Sequence, residues 1–444
     1  MKHGFYSQRC WIDGEWQVAT IWTENGKIAA IELDVRTPDA EDWGNAVIMP
    51  GVLDAHVHVN EPGRTEWEGF ETATRAAAAG GITTLVDMPL NASPVTTTLA
   101  AWHTKLAATE GKRHVNLGFY GGLIPGNLNE VEGLIQAGAL GIKAFLVHSG
   151  IDEFPNATPA DLNAVMPILA RLDAPLLVHC EIPTAEGGFS PDADPRSYAD
   201  YLASRPPSWE VFAIRTVLEL CARHQCRTHI VHVAAADALP YIASAKFAEL
   251  PVTAETCPHY LLFAAESIPD GETIYKCAPP IRENVHQQQL KSALQTGILD
   301  FVASDHSPAP PDVKALEEGS FQTGWGGIAG LQTLLSASWT ALKSELSLED
   351  VIPLLTEYPA EFLGLDDRKG YIKTGYDADL VIWEPETNFE LTPDALFHRH
   401  KISPYLHQNL SGKVRQTIVN GMPVFRDGAF LSENQGQICR RTPA

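Results

Sequence analysis

GVLDAHVH, residues 51–58, runs through apolar and β-branched residues and ends on two histidines. Residues i and i+2 of a strand point to one side, so His56 and His58 leave its end together. Seven more apolar runs follow: ITTLVDMP (82–89), VNLGFYGG (115–122), GIKAFLVHSG (141–150), APLLVHCE (174–181), RTHIVHVA (227–234), LPVTAETCP (250–258) and ILDFVASDH (298–306). Helix-like stretches at 70–79, 159–171, 209–224 and 235–248 lie between many of them. Strand–helix alternation builds a parallel sheet. Eight such strands over residues 51–369 predict an α/β fold, a (β/α)8 TIM-like barrel with insertions. A doubly wound open sheet is the alternative. The sequence has no G-x-G-x-x-G at the first turn and no G-x-x-x-x-G-K-[ST], which weakens its nucleotide-binding form.

Outside this middle, both ends read as strands. Asp13-Gly14, Asn25-Gly26 and Asn420-Gly421 lie between β-rich runs, and these dipeptides supply the positive φ angles of tight hairpins. Residues 1–50 plus 370–444 are therefore expected to form one small β-sandwich domain, with 51–369 as the catalytic barrel. Two separate end caps have the same signature.

Composition limits the partners. The 444 residues include 32 Lys and Arg against 55 Asp and Glu, a net charge of −23. Such an acidic chain argues against nucleic acid and anionic membranes. A 45% hydrophobic fraction supports a large core. No apolar run reaches the roughly 18–20 residues of a membrane span. The N-terminus lacks the apolar stretch of a secretion signal, so a cytoplasmic protein is expected. Seven scattered cysteines without C-x-x-C predict reduced, mostly buried thiols.

The chemistry gathers at the strand ends, where barrel enzymes build their sites. His56, His58, Lys143, His179, His232 and Asp305 each close or interrupt an apolar run. Paired imidazoles on one strand face can hold a metal ion, or simply face water or the core. A carboxylate ending a buried strand needs a cation or a hydrogen-bonded cap. Lys143 in an apolar run either snorkels to the rim, pairs with an acid, or faces the barrel mouth. Beside divalent cations its ammonium would be repelled, so it must be neutral or chemically altered there.

Together these runs resemble the cyclic amidohydrolases of the amidohydrolase superfamily, most closely over 49–91 and 142–155. The resemblance implies a binuclear metal hydrolase. His56 and His58 would bind one ion, and His179 and His232 the other. Lys143, carboxylated by carbon dioxide, would bridge them. Asp305 would complete the ligands of the first ion and act as the catalytic general base and then acid. Zn2+ is the expected metal, with Co2+, Mn2+ or Fe2+ also compatible. A homotetramer or homodimer is implied as well.

Local departures narrow the substrate. Dihydroorotases carry H-x-H-x-R, whose Arg grips a carboxylate, and Asn60 stands at that position here. Dihydropyrimidinases place a Tyr five residues after the bridging lysine, where this chain has His148. A small neutral cyclic ureide is therefore the expected substrate, opened by hydrolysis of its cyclic amide. Asn91, His148, Cys277 and Ser307 are the candidate substrate contacts. Each has a structural alternative: a turn cap for Asn91, packing for His148, a buried hydrophobe for Cys277, a loop serine for Ser307. Dihydropyrimidinase-, hydantoinase- or dihydroorotase-type activity is the alternative within the class. A non-catalytic scaffold relative is the alternative outside it. Arg64 and Glu68 are expected to support the first loop, His259 and His306 to be structural, and the glycines of 324–330 to allow close backbone approach to a ligand.

Overall fold

The computed structural model describes residues 2–441. The eight expected strands are all present: Val52–Val57, Ile82–Asp87, Asn116–Phe119 continued by Gly121–Gly122, Ile142–Phe145, Leu176–His179, Thr228–Ile230, Val252–Thr256 and Phe301–Val302. The first three pair in parallel, and the third through the eighth pair in parallel. The third strand joins the ladders, because Asn116–Phe119 pairs with the second strand and Gly121–Gly122 with the fourth. The seam between first and last strands closes just beyond the eighth. Val57 bridges to His306, and His58 N donates to His306 O at 2.7 Å. Asp54 Oδ1 accepts Ser304 N at 3.1 Å beside it. The result is the TIM-like barrel.

The helices follow the expected pattern. Phe70–Ala79 and Pro159–Arg171 match their expected spans, and Pro207–His224 starts slightly earlier than the apolar rhythm suggested. The stretch 235–248 divides into a 3-10 turn, Ala236–Ala238, and a helix, Leu239–Phe247. Pro240 opens that helix, where its missing N–H costs nothing.

Both termini build one nine-stranded sheet. Val47–Pro50 joins its halves, pairing in parallel with Lys2–Ile12 and antiparallel with Leu380–Glu390. The three hairpin dipeptides have positive φ at both positions, as in Asp13 (50°) and Gly14 (78°). The sheet surrounds a core of its own, with Phe5, Ile21 and Ile28 from one end and Leu380, Ile382 and Ile418 from the other. The chain then returns to the barrel. Leu117 N donates to Gln437 O at 2.9 Å and Cys439 N to Leu117 O at 2.7 Å. These bonds fill the flank of the third strand that its first half leaves open. All seven cysteines are free and buried. Among the described residues no helix is long and apolar enough to cross a membrane.

Candidate active site and metal centre

Parallel pairing aligns the strand ends, so side chains far apart in sequence meet at one barrel mouth. Phe145 registers against His179 on the fourth and fifth strands, and their rings stack at 4.6 Å. His179 lies 4.6 Å from His232 between ring centroids. His232 lies 5.4 Å from His56, and His56 5.5 Å from His58. Asp305 Oδ1 sits 3.2 Å from His56 Nε2 and 3.5 Å from His58 Nε2. His232 and Asp305 both have left-handed φ, 40° and 44°. Just beyond their strands, both residues thus adopt backbone conformations that are sparsely populated outside glycine and cluster at functional sites.

Three of the four imidazoles are oriented by a second partner. His56 Nδ1 is bonded to Glu255 Oε1, and Glu255 Oε2 lies 3.1 Å from His229 Nε2. His58 Nδ1 donates to Leu90 O at 2.8 Å. His179 Nε2 contacts Glu181 Oε2 at 2.7 Å. One nitrogen of each ring is therefore committed outward and the other is left for the centre, which sets the tautomer of a ligand. Burial would raise the Glu181 carboxyl, but Arg205 and His179 outweigh it and hold it down to about 2. Burial also lowers His56, His179 and His232, which favours the neutral imidazoles that metal ligation requires.

Lys143 is fully buried, and no protein group among the described residues bonds its Nζ. Burial lowers its ammonium to about 8 against the pull of Asp305 and Glu255. His56 Nε2 and His232 Nδ1 likewise lack bonded partners. Ligand atoms of His56, His232 and Asp305 all lie within 4.8 Å of one another. Unpartnered buried donors of this kind are costly unless something satisfies them. The donor set therefore fits divalent cations.

A cavity of about 380 Å³ opens over this cluster. Asn91, His148 and Ser307 line it, together with Phe145, Arg205, Lys276 and Trp325. Trp325 Nε1 donates to Ser307 Oγ at 3.3 Å. Gly327 allows that loop to approach, since a Cβ there would meet Ser307 O at 2.4 Å. His148 sits on the exposed rim with both ring nitrogens engaged, one accepting Gly150 N at 3.1 Å and the other 3.3 Å from Asp152. Cys277 is not placed as a substrate contact but takes its buried alternative. Its neighbour Ala278 lines the cavity, whereas the Cys277 thiol is buried and pushed up to about 12 by that burial. An extended segment turns alternate side chains away, and here the alternation takes the thiol inward.

The sequence reading missed several residues. Glu255 interrupts VTAETCP as Asp305 ends its own strand, and that carboxylate was the available signal. Glu181 lies two residues beyond His179. Lys276 and Lys314 were invisible, because their partners are backbone carbonyls. Lys314 Nζ lies 2.7 Å from Lys276 O, 3.0 Å from Trp325 O and 2.5 Å from Gly327 O, all three of which its ammonium can serve and two of which its neutral amine can, pinning the cavity-wall loop. Burial lowers Lys314 to about 7, with Cys277 opposing and Lys276 reinforcing. Above that value and below the unfolded range near 10.5, the unfolded chain binds a proton that the folded chain does not. This group therefore makes stability rise with pH across that window. Lys314→Met is expected to flatten the rise, so that its unfolding free energy loses about 1–3 kcal/mol relative to the parent between pH 7 and pH 9. Urea titrations of both proteins at the two pH values measure it, and a pH-independent difference would refute it.

Comparison with known proteins agrees with the geometry. A model of the amidohydrolase family matches residues 47–424. The chain belongs to the amidohydrolase family. This amidohydrolase is 45% identical to the allantoinase of Streptomyces avermitilis over 430 residues, 96% of this chain and 95% of that protein. It is 42% identical to the allantoinase of Saccharomyces cerevisiae over 398 residues, 88% of this chain and 86% of that protein. Its fold superposes on the L-hydantoinase (dihydropyrimidinase) of Arthrobacter aurescens with a TM-score of 0.90 at 30% identity, covering 99% and 100% of the two chains.

Proposed function

We propose that this amidohydrolase is an allantoinase, hydrolysing the cyclic amide of allantoin to give allantoate. The observation that carries the reading is the 45% identity to an allantoinase along 96% of the chain, well above the 30% shared with the L-hydantoinase of the same fold. Asn60 in place of a carboxylate-gripping arginine supports a neutral ring.

His56 and His58 would hold one divalent ion, His179 and His232 another, and Asp305 would complete the first set. Zn2+ suits these N and O donors. Lys143 would join them as a carbamate: its neutral Nζ bonds to the carbon of carbon dioxide, one C=O π pair moves onto oxygen, and an N–H proton leaves to water. The neutral amine thereby becomes an anion. When bound, the ions supply a water acidified toward neutral pH and polarise the ring carbonyl. Asp305 handles the proton. Its Oδ1 faces both His56 and His58, which leaves Oδ2 to take the proton of the attacking water and pass it to the leaving ring nitrogen. Glu255, Leu90 O and Glu181 keep three histidines in one tautomer throughout. Phe145 and Trp325 provide apolar walls beside the ring.

Steady-state hydrolysis of racemic allantoin, hydantoin, dihydrouracil and dihydroorotate by the metal-loaded protein tests the assignment. Allantoin is expected to exceed each of the others in kcat/KM by about 10²-fold or more. A second reading, hydantoinase or dihydropyrimidinase activity, draws on the TM-score of 0.90 to the L-hydantoinase. Faster turnover of hydantoin or dihydrouracil would select it. Silence on all four rings with metal bound would point to a scaffold instead.

A further inference from the structure

Asn60 and Asn91 are both buried, 31 residues apart, and meet beside the cavity. Only Asn91 lines it. Asn60 Nδ2 donates to Pro308 O at 3.3 Å. A peptide carbonyl can only accept, so the amide nitrogen of Asn60 must occupy that side and Oδ1 the other. Asn60 Oδ1 faces two nitrogens of Asn91, the side-chain Nδ2 at 3.1 Å and the backbone N at 3.4 Å. The backbone N–H can only donate, which fixes the same orientation independently. Arg64 secures the residue from its other end, donating to Asn91 O at 2.7 Å and to Glu153 at 2.7 Å. One N–H of Asn91 Nδ2 is committed to Asn60, which fixes the amide's orientation; its Oδ1 has no hydrogen-bond donor among the described residues and is the acceptor left for the cavity. Asn60 itself sits at φ 68°, a left-handed conformation that asparagine tolerates better than most residues.

We infer that Asn60 is a positioning residue that sets the polarity of Asn91, so that this wall presents a hydrogen-bond acceptor to a ring or ureido N–H. The inference rests on the allantoinase reading and adds a basis for its selectivity. A ureide offers N–H groups that an amide oxygen can accept. A ring carboxylate offers only acceptors, and meets Oδ1 as a repulsive partner. Dihydroorotate is thus disfavoured both by the missing guanidinium and by an opposing dipole, a selectivity built partly from repulsion.

A double-mutant cycle tests this. The metal-loaded parent, Asn60→Ala, Asn91→Ala and the double variant are assayed on allantoin, with metal content and urea midpoint measured for each. Asn60→Ala and Asn91→Ala are each expected to raise KM by about tenfold with kcat changed less than about threefold, the loss of roughly one hydrogen bond. The double variant is expected to match either single one, because Asn91→Ala removes the acceptor and Asn60→Ala removes its orientation. Additive effects, or an unchanged KM in Asn60→Ala at full metal content, would overturn the inference. A parent inactive on allantoin would overturn the substrate reading instead, and the cycle then runs on the ring that is turned over fastest.

Discussion

Lys143→Ala is expected to lose most bound metal and to lower kcat/KM by about 10³-fold or more. The side chain is fully buried in the fourth strand, with no protein partner for its Nζ among the described residues. As an ammonium it would repel cations at the cluster of His56, His232 and Asp305. As a carbamate it supplies the anionic oxygens that four neutral imidazoles cannot. Alanine removes those oxygens and leaves Asp305 as the one anionic ligand of the proposed set. Glu255 and Glu181 do not replace it, because their oxygens are engaged by His56, His229, His179 and Arg205. Metal per chain, measured by elemental analysis, and native mass spectrometry of the parent for added carbon dioxide provide readouts besides activity. A Lys143→Ala protein with two metals and near-normal turnover would sink the proposed bridge.

Asp305→Asn is expected to lower kcat by about 10³-fold or more while leaving the fold intact. Asp305 has φ 44°, a conformation that asparagine adopts about as readily as aspartate. The substitution therefore adds no conformational strain, whereas alanine at this φ would mix strain with lost function. An amide cannot take a proton from the attacking water and return it to the ring nitrogen. Neighbouring contacts should persist, since the barrel seam beside it is closed by the backbone of His306 and His58. An unfolding midpoint near that of the parent, weaker metal retention through the lost anionic ligand, and turnover that stays abolished when metal is supplied in excess are the expected results. Turnover within about tenfold of the parent would remove Asp305 from the role of general base.

The asymmetry between Asp305 and Glu255 shows where sequence reading succeeds. Both are carboxylates in or after apolar strands, and the argument that such a group needs a partner applies to each. Asp305 closes an apolar run, the position at which a barrel strand delivers its site residues. Glu255 lies inside one, and its role depends on His56, 199 positions away. The same divide separates Cys277 from Ala278. The motif KCAPPIRE marks the segment, while the turn of the chain decides which neighbour faces the cavity.

The eight barrel strands, the hairpins at Asp13-Gly14, Asn25-Gly26 and Asn420-Gly421, the placing of the four histidines and Asp305 at or just past strand ends, and that of Lys143 inside a strand are all legible in the chain. These features are local, since the period of two, the turn dihedrals and the apolar runs are written within a few consecutive residues. Only the tertiary structure decided the partners: Glu255 behind His56, Leu90 O behind His58, Asn60 against Asn91, Lys314 beneath the loop at 324–327, and residues 437–439 along the third barrel strand. Each of these pairs lies between segments joined through helical crossovers and long loops. Their meeting depends on how strand register and barrel closure place one backbone against another, and no local pattern records that placement.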